Sequence, residues 1–333
     1  MGERLALPAI VGPTAVGKTA VSLRVAEALG AEIINCDSRQ VYRGMDVGTA
    51  KPTAPERALV PHHGLDLVEP DEPFTAADYG RAARRSVAEC FERGVWPLVV
   101  GGSGLYLRAL DEGLFPGPPA DPALRERLRA EAEKQGPPAL HARLSAVDPE
   151  AAGAIHPNDL VRIVRALEVY ELTGEPISSL QRRAASAPAP FLLVAVGLAR
   201  PPQKLAERIA ERVEAMLAAG LEEEVRALLA AGLDPSSPAL QGIGYRQMVE
   251  HVDGARSLEE VRGAVVRETR RYAKRQMTWF RKLPGIEWVE AGDDVEADAT
   301  RVVDVLRRRL PPLPSPEAVR IMLQTTATAG GAL

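Results

Sequence analysis

Short continuous runs of apolar residues alternate along this chain with longer stretches in which apolar residues recur at helical spacing. The continuous runs predict buried strands at PAIVG (8–12), EIINC (32–36), GLDLVE (64–69), WPLVVGG (96–102) and FLLVAVGL (191–198). The periodic stretches predict helices between most of these strands, over residues 18–29, 76–93 and 104–110. This alternation predicts an α/β fold in which helices cover both faces of a parallel sheet.

The strand pattern stops between residues 113 and 190, where PGPPADP forms a proline-rich linker. The segment after the linker carries helical patterns alone, over residues 121–135, 137–146, 159–173 and 177–184. Strand character then returns with FLLVAVGL. The sequence therefore predicts one core, residues 1–113 and 189–310, interrupted by an all-helical insertion domain, residues 114–188. The proline-rich and then small, polar end, residues 311–333, predicts a disordered tail.

The first predicted strand leads into Gly12-Pro13-Thr14-Ala15-Val16-Gly17-Lys18-Thr19, which fits the phosphate-loop pattern G-x-x-x-x-G-K-[ST]. A helical pattern begins at Lys18, so the motif has the strand–loop–helix context that it requires. The backbone N–H groups of such a loop bind phosphate oxygens, Lys18 reaches the terminal phosphates, and the Thr19 hydroxyl is placed to hold Mg²⁺. The sequence thus predicts a P-loop NTPase-like core that binds a phosphate chain, without saying which one.

Residues after the other strands discriminate between ligands. Motor and switch NTPases hold Mg²⁺ with an acidic residue at the end of an apolar strand. Here WPLVV ends in Gly101-Gly102-Ser103-Gly104, a loop suited to close backbone approach, so a hydrolysing ATPase is disfavoured. The second strand ends in Asp37, Ser38 and Gln40, which we expect beside the phosphate loop at the carboxyl edge of the sheet. A carboxylate there suits proton abstraction from an acceptor, whereas Asp37 alone is also typical of a helix cap or turn.

The charge of the chain is distributed unevenly. The 333 residues carry a net charge of −4, yet one predicted helix, about 257–282, holds a run of basic residues with Glu268 as the single acid among them. The basic residues are Arg262, Arg267, Arg270, Arg271, Lys274, Arg275, Arg281 and Lys282. A local basic stripe on an acidic protein indicates a directed surface for a polyanion such as RNA, with a solvated helix as the alternative.

No secretory signal follows the N-terminus, and no apolar stretch reaches the length of a membrane span. The two cysteines, Cys36 and Cys90, cannot make a zinc site alone and are interpreted as reduced thiols. We therefore expect a cytoplasmic protein. At this point the residues leave three hypotheses open: a small-molecule kinase, a transferase whose donor carries a diphosphate leaving group, and a non-catalytic nucleic-acid-binding NTP sensor.

The motifs in their order identify a family. GPTAVGKT, DSRQVYRGMDVGTAKP, HHGLDLVEP, VVGGSGLYLRAL, HPNDLVRIVRALEVYELTG, GIGYRQM and KRQMTWFRK together closely resemble the tRNA dimethylallyltransferases, over about residues 7–290. The resemblance implies Mg²⁺-assisted transfer of a dimethylallyl group from dimethylallyl diphosphate to the exocyclic amine of an adenosine. That adenosine lies 3′ of the anticodon in tRNAs that read codons beginning with U. Adenine-nucleotide prenyl transfer and the kinase hypothesis stay as alternatives, and the long helical insertion favours tRNA over AMP or ADP.

The resemblance also implies roles for individual residues. Asp37 matches the catalytic aspartate, Lys18 and Thr19 the diphosphate and Mg²⁺ ligands, and Arg212, ahead of Arg208, the diphosphate arginine. Matches to tRNA-contacting positions are Asp37, Ser38, Arg39, Gln40, Ser103, Arg125, Val161, Arg162, Ile163, Val164, Arg165, Gln241, Gly242, Ile243, Gly244, Tyr245 and Arg246. Among residues 161–165, Arg162 and Arg165 are the better candidates for RNA contact, whereas Ile163 and Val164 are more typical of a helix core or of backbone contacts. The target base must be flipped out of the anticodon loop to reach Asp37, and we expect the enzyme to be a monomer.

Overall fold

The computed structural model describes residues 4–115, 117–185 and 191–328. The chain folds into two compact units, one of residues 1–111 with 189–333 and one of residues 112–188. The second unit therefore begins two residues earlier than the insertion predicted at 114–188, and its last residues, like the start of the returning core at 189, lie outside the described ranges. None of the described helices is both long and apolar enough to cross a membrane.

The core of unit 1 is a sheet whose strands all run parallel. In the described residues it has six strands in the order β3-β2-β4-β1-β5-β6. The strands are β1 (Leu5–Val11), β2 (Ala31–Cys36), β3 (His62–His63), β4 (Trp96–Gly101), β5 (Phe191–Ala199) and β6 (Glu287–Glu290). The central strands β1 and β4 are buried almost throughout, which is the continuous apolar pattern that a parallel sheet with two covered faces requires. The predicted P-loop-type α/β fold is confirmed.

Helices cover both faces of this sheet. Those of unit 1 are α1 (Lys18–Leu29), α2 (Ala54–Leu59), α3 (Ala76–Glu92), α4 (Gly104–Asp111), α10 (Pro202–Ala218), α11 (Leu221–Ala230), α12 (Tyr245–Val252), α13 (Leu258–Phe280), α14 (Val295–Arg309) and α15 (Pro316–Thr328). One apolar core contains Leu7, Tyr79 and Phe91, and a second contains Ile10 and Leu98. Neighbouring residues of β1 thus face opposite cores, as the alternation of side chains along a strand demands.

All secondary-structure elements in the described residues of unit 2 are helices. Its helices are α5 (Pro122–Gln135), α6 (Pro137–Val147), α7 (Pro149–Ala154), α8 (Leu160–Thr173) and α9 (Ile177–Ala185). They bury an apolar core of their own that includes Leu128, Leu140, Leu144 and Ile163. Three of the helices begin at aspartate caps, Asp121, Asp148 and Asp159, whose side chains accept hydrogen bonds from backbone N–H groups of the first turn.

Two predicted elements are corrected by the structure. The third strand is His62–His63 and not residues 64–69, because Gly64 and Asp66 adopt positive φ angles of 82° and 53° that an extended strand excludes. Within the predicted disordered tail, residues 316–328 form α15. Val319 of this helix is completely buried in the same core as Phe91. Residues 329–333 of the predicted tail lie outside the described ranges.

Candidate active site

The carboxyl ends of β1, β2 and β4 meet at one edge of the sheet and open into a cleft of about 460 Å³. Adjacent parallel strands deliver the residues after them to the same edge, which is where α/β proteins bind ligands. The polar and charged residues that line the cleft are Thr14, Lys18, Thr19, Asn35, Asp37, Gln40, Glu56, Arg208, Glu211, Arg212, Tyr272 and Gln276. The structure therefore brings the predicted phosphate loop, Asp37 and Arg212 together.

The phosphate loop turns sharply between β1 and α1. Gly12 has φ 149°, and a Cβ at this position would lie 2.5 Å from the carbonyl oxygen of Leu198, so only glycine fits. Gly17 has φ 111° and precedes the first turn of α1. Because the N–H groups of a first helical turn have no partners within the helix, the loop and the start of α1 present donors to an anion.

Lys18 is anchored across the loop that it follows. Its Nζ donates hydrogen bonds to the carbonyl oxygens of Gly12, at 3.0 Å, and Pro13, at 2.8 Å. Burial lowers the pKa of the Lys18 ammonium to about 8, while the carboxylate of Asp37 opposes that shift and the cation of Arg212 adds to it. The three charges are thus close enough to influence one another within one cleft.

Asp37 follows the last residue of β2. Its Oδ1 accepts a hydrogen bond of 2.8 Å from the backbone N–H of Arg39, so it does form the turn that is typical of aspartate at such a position. That bond occupies one carboxylate oxygen of a half-buried residue that also lines the cleft. The turn and a chemical role are therefore compatible, because the turn orients the carboxylate.

Two arginines of α10 face the cleft. Arg212 donates to the backbone oxygen of Thr49 at 3.1 Å, and burial lowers its pKa while Asp37 opposes the shift. Arg208, one turn earlier, donates from Nε to the backbone oxygen of Ala15 at 3.1 Å. Both guanidinium groups border the phosphate loop and line the same wall of the cleft. The structure thus brings Arg208, which the sequence ranks second, to the same site as Arg212, which it ranks first.

The glycine-rich end of β4 packs against the other loops of the cleft. A Cβ on Gly101 would overlap the backbone oxygen of Cys36, and one on Gly102 would overlap the amide of Gln276. Ser103 is buried, and its Oγ accepts a hydrogen bond of 3.0 Å from the backbone N–H of Ser38. The backbone of this loop is therefore closely approached, as predicted, and the groups that approach it belong to the protein itself.

Residues of α13 that the sequence did not single out also line the cleft. Gln276 is buried and forms hydrogen bonds to both the phosphate loop and Gly102. Burial raises the pKa of the Tyr272 phenol to about 12, so the phenol stays neutral at physiological pH. These two residues lie four apart on one face of the helix, and no local sequence pattern marks them as residues of the cleft.

The predicted tRNA-contacting residues 241–246 lie next to those at 37–40. Arg39 links the two segments, since its guanidinium donates to the backbone oxygen of Pro238 at 2.7 Å. Gln241 and Arg246 are exposed, whereas Tyr245 is buried and its phenol donates a 2.6 Å hydrogen bond to Glu224. Contact of the Tyr245 side chain with RNA is thereby corrected to a structural role within this segment.

In unit 2, the predicted residues form an ion-pair cluster. Glu168 is fully buried and accepts from Arg125 at 2.8 Å and from Arg165 at 2.5 Å. Ile163 and Val164 are buried in the core of the unit, as the helical spacing suggested. Val161 and Arg162 are exposed, with 82% exposure for Val161, so they remain accessible to a partner.

Two groups of side chains have donor sets suited to a metal ion. In the cleft, the lining residues Thr19, Asp37, Glu56 and Glu211 offer side-chain oxygen atoms, the ligand type that Mg²⁺ prefers. Elsewhere, Glu32, His63 and Cys90 lie within 4.8 Å of one another. There the Oε2 atom of Glu32 already accepts from His63, Cys90 and Arg93, so its charge is neutralised by protein groups.

Comparison with known proteins decides the family. A family model described as IPP transferase matches residues 40–283, and one described as isopentenyl transferase matches residues 5–59. The chain belongs to the IPP transferase family. A tRNA dimethylallyltransferase of Syntrophobacter fumaroxidans is 51% identical over 292 residues, covering 87% of this chain and 85% of the relative. One of Geobacter sulfurreducens is 50% identical over 289 residues, covering 87% and 93%.

Solved structures give the same result. The full-length tRNA isopentenylpyrophosphate transferase of Bacillus halodurans has a TM-score of 0.68 and 39% identity, covering 96% of this chain and 98% of its own. A eukaryotic dimethylallyltransferase acting on tRNA has a TM-score of 0.74 and 26% identity, covering 97% and 85%. The family resemblance inferred from the motifs is confirmed.

Proposed function

We propose that this protein transfers a dimethylallyl group from dimethylallyl diphosphate to the exocyclic amine of the adenosine that lies 3′ of the anticodon in tRNA. The observation that carries the proposal is the cleft, in which a phosphate loop, Asp37 and Arg212 converge. The relatives that are named tRNA dimethylallyltransferase support the same reaction.

The proposed binding position of the donor diphosphate is the phosphate loop. Backbone N–H groups of the loop and of the first turn of α1 donate hydrogen bonds to its oxygens, and Lys18, Arg208 and Arg212 supply positive charge around them. As the bond between the allylic carbon and oxygen breaks, the electron pair leaves with the diphosphate. These groups then stabilise a charge that is greater in the transition state than in the bound donor, which is the requirement for rate acceleration.

Asp37 is the proposed base. The exocyclic amine of adenine is a weak nucleophile because its lone pair is delocalised into the ring. When its nitrogen bonds to the allylic carbon, the nitrogen must lose a proton, and the carboxylate of Asp37 accepts it. Because Oδ1 is oriented by the N–H of Arg39, the carboxylate is held in place before the substrate binds.

Mg²⁺ is the proposed cofactor, and the Thr19 hydroxyl would hold it beside the diphosphate of the donor. When bound, the ion neutralises charge on the leaving diphosphate. A cation held by one hydroxyl and by substrate oxygens agrees with the small number of protein ligands at typical Mg²⁺ sites.

The RNA contacts are proposed for accessible residues. In unit 1 these are Ser38, Arg39, Gln241 and Arg246, and in unit 2 they are Val161 and Arg162. Exposed cations of α13 extend the basic surface of unit 1, at Arg267, Arg270, Arg271, Lys274 and Arg275. The buried residues in the predicted set, among them Gln40, Ser103, Ile163, Val164 and Tyr245, support the backbone that these side chains extend from.

We also propose that the protein is a monomer. Since tRNA is the proposed acceptor, we also propose that the protein acts in the cytoplasm. Size-exclusion chromatography with light scattering tests the first statement, and a mass of two chains at working concentration would refute it.

The proposed reaction is tested with radiolabelled dimethylallyl diphosphate, Mg²⁺ and unmodified tRNA that reads a U-initial codon. We expect label in acid-precipitable RNA, in the absence of ATP. Replacing tRNA with AMP separates the adenine-nucleotide alternative, for which label would appear in the nucleotide. ATP consumption without transfer of label would indicate a kinase or ATPase instead.

A further inference from the structure

The side-chain amide of Gln276 joins two loops of the cleft. On α13, Gln276 is 7% exposed. Its Oε1 accepts a hydrogen bond of 2.9 Å from the backbone N–H of Thr14, and its Nε2 donates one of 2.8 Å to the backbone oxygen of Gly102. These two loops follow the adjacent strands β1 and β4, so a single amide fixes their separation at the edge of the sheet.

The chemistry of this contact is specific for a primary amide. The carboxylate of glutamate accepts hydrogen bonds and lacks the N–H that reaches Gly102, whereas the side chain of methionine offers neither strong bond. Gly102 is part of the same fit, because a Cβ at that position would overlap the Gln276 amide nitrogen. Burial makes both bonds consequential, since a buried donor or acceptor that loses its partner costs free energy.

The bond to Thr14 also sets the position of Lys18. In a trans peptide the N–H and C=O groups point in opposite directions, so fixing the N–H of Thr14 fixes the carbonyl of Pro13. That carbonyl accepts the 2.8 Å hydrogen bond from Nζ of Lys18. Gln276 therefore acts on Lys18 through a single peptide plane, without contacting the ammonium.

We propose that Gln276 is a positioning residue for the donor diphosphate: it holds the Pro13–Thr14 peptide in the orientation that places Lys18 in the phosphate cradle. The inference rests on the proposed function, because it assigns the cradle to dimethylallyl diphosphate. It also gives α13 a second task. The helix presents exposed cations such as Lys274 and Arg275 on one face while its opposite face, through Gln276, holds the phosphate loop.

The test compares Gln276→Met, which has a similar volume and no hydrogen bonds, with Gln276→Glu, which keeps only the acceptor. Thr278→Val is the matched control, because it removes a side-chain hydrogen bond of the same helix at an exposed position. Calorimetry with dimethylallyl diphosphate and Mg²⁺, without RNA, gives the Kd, and steady-state kinetics give separate KM values for donor and tRNA. Thermal unfolding of every variant identifies those that are merely destabilised.

We expect Gln276→Met to weaken donor binding about tenfold, the effect of losing one to two hydrogen bonds, with the KM for tRNA unchanged. Gln276→Glu should weaken it further, because a carboxylate then lies near the diphosphate. Thr278→Val should bind the donor with the wild-type Kd.

An equal donor Kd in wild type and Gln276→Met would overturn the inference. Donor and tRNA constants that rise by the same factor would also overturn it, since they would reveal general destabilisation. A wild-type protein that binds the donor and does not modify tRNA would refute the proposed function alone, and the Kd comparison would still decide the role of Gln276.

Discussion

At the scale of single residues, the cleft places one carboxylate, that of Asp37, close to two cations, Lys18 and Arg212. Asp37 stabilises the charged form of Lys18 and of Arg212, which burial alone would disfavour. The same carboxylate is oriented by the N–H of Arg39. A proton acceptor and the positive charge that binds a leaving diphosphate are therefore electrostatically linked.

Replacing Asp37 with asparagine removes the proton acceptor and keeps the side-chain shape and the oxygen that accepts from Arg39. We expect kcat to fall by about 10²–10⁴, the usual contribution of positioned proton transfer, with little change in the KM for the donor. Single-turnover transfer of label to tRNA measures the effect. A variant with wild-type kcat would show that Asp37 is a turn residue only.

The pKa of Lys18 predicts how the affinity for the donor depends on pH. Its pKa of about 8 lies below the ordinary value, so the ammonium is lost as pH rises above about 8 and with it the attraction for diphosphate. We expect the donor Kd to rise by up to about tenfold per pH unit there, because one proton is involved. Lys18→Arg, which stays charged, should bind donor without this dependence, and a dependence that persists in it would assign the titration to another group.

The same pKa has a consequence for stability, with a defined sign. Between pH 8 and the ordinary lysine pKa of about 10.4, the unfolded chain binds more protons at this position than the folded protein does. The contribution of Lys18 to the free energy of unfolding therefore rises with pH through that window. Lys18→Met should flatten this rise in urea unfolding measured at several pH values.

At the scale of elements, hydrogen bonds and ion pairs of polar side chains hold the loop after β2 in place. Glu224 on α11 accepts hydrogen bonds from the backbone N–H groups of Asp46, Val47 and Gly48, at 2.8, 2.7 and 3.1 Å. The ammonium of Lys51 is buried between Asp46 and Asp66. These contacts place the backbone oxygen of Thr49, to which both Gln40 and Arg212 donate.

Glu224→Gln should therefore cost more stability than the loss of a single hydrogen bond. An amide N–H₂ then faces backbone donors, so we expect the free energy of unfolding to fall by about 2–3 kcal/mol. Tyr245→Phe, which removes only the phenol bond to Glu224, should cost about 1 kcal/mol. Equal losses in the two variants, measured by urea unfolding, would contradict this account of the loop.

The sequence predicted the elements wherever apolar residues alone decide the structure. Buried runs gave β1, β2, β4 and β5, and helical periodicity gave the helices of unit 2 except the short α7. The edge strand β6, EWVE, has only two apolar residues, which lie between two glutamates, and so carries no such signal. The tail was misjudged because α15 is held by tertiary packing of Val319, and proline-rich composition does not reveal packing.

At the scale of the whole molecule, the phosphate loop and Asp37 were predictable because each lies in a local motif. Gln276 was not, since its partners Thr14 and Gly102 are 262 and 174 residues away in sequence. The ion pair between Arg125 and the buried Glu168 likewise appears only when two helices of unit 2 are brought together. Local patterns thus identified the reaction, and the fold supplied the residues that hold its parts.

Recognition of tRNA predicts a dependence on salt. Arg162 is exposed in unit 2 and is proposed to contact a phosphate, so Arg162→Ala should raise the KM for tRNA and lower the slope of its logarithm against log salt by about one. Arg182→Ala, also an exposed arginine of unit 2, is the matched control and should leave the slope unchanged. Identical slopes in wild type and Arg162→Ala would remove Arg162 from the RNA surface.

The central claim is that the phosphate loop holds a diphosphate that departs as its carbon passes to an adenosine. The most direct measurement follows inorganic diphosphate and RNA-bound label together, with doubly labelled dimethylallyl diphosphate, tRNA and Mg²⁺ and without ATP. We predict one diphosphate released for each dimethylallyl group found on the adenosine next to the anticodon. Diphosphate release without RNA modification, or transfer that requires ATP, would contradict the account.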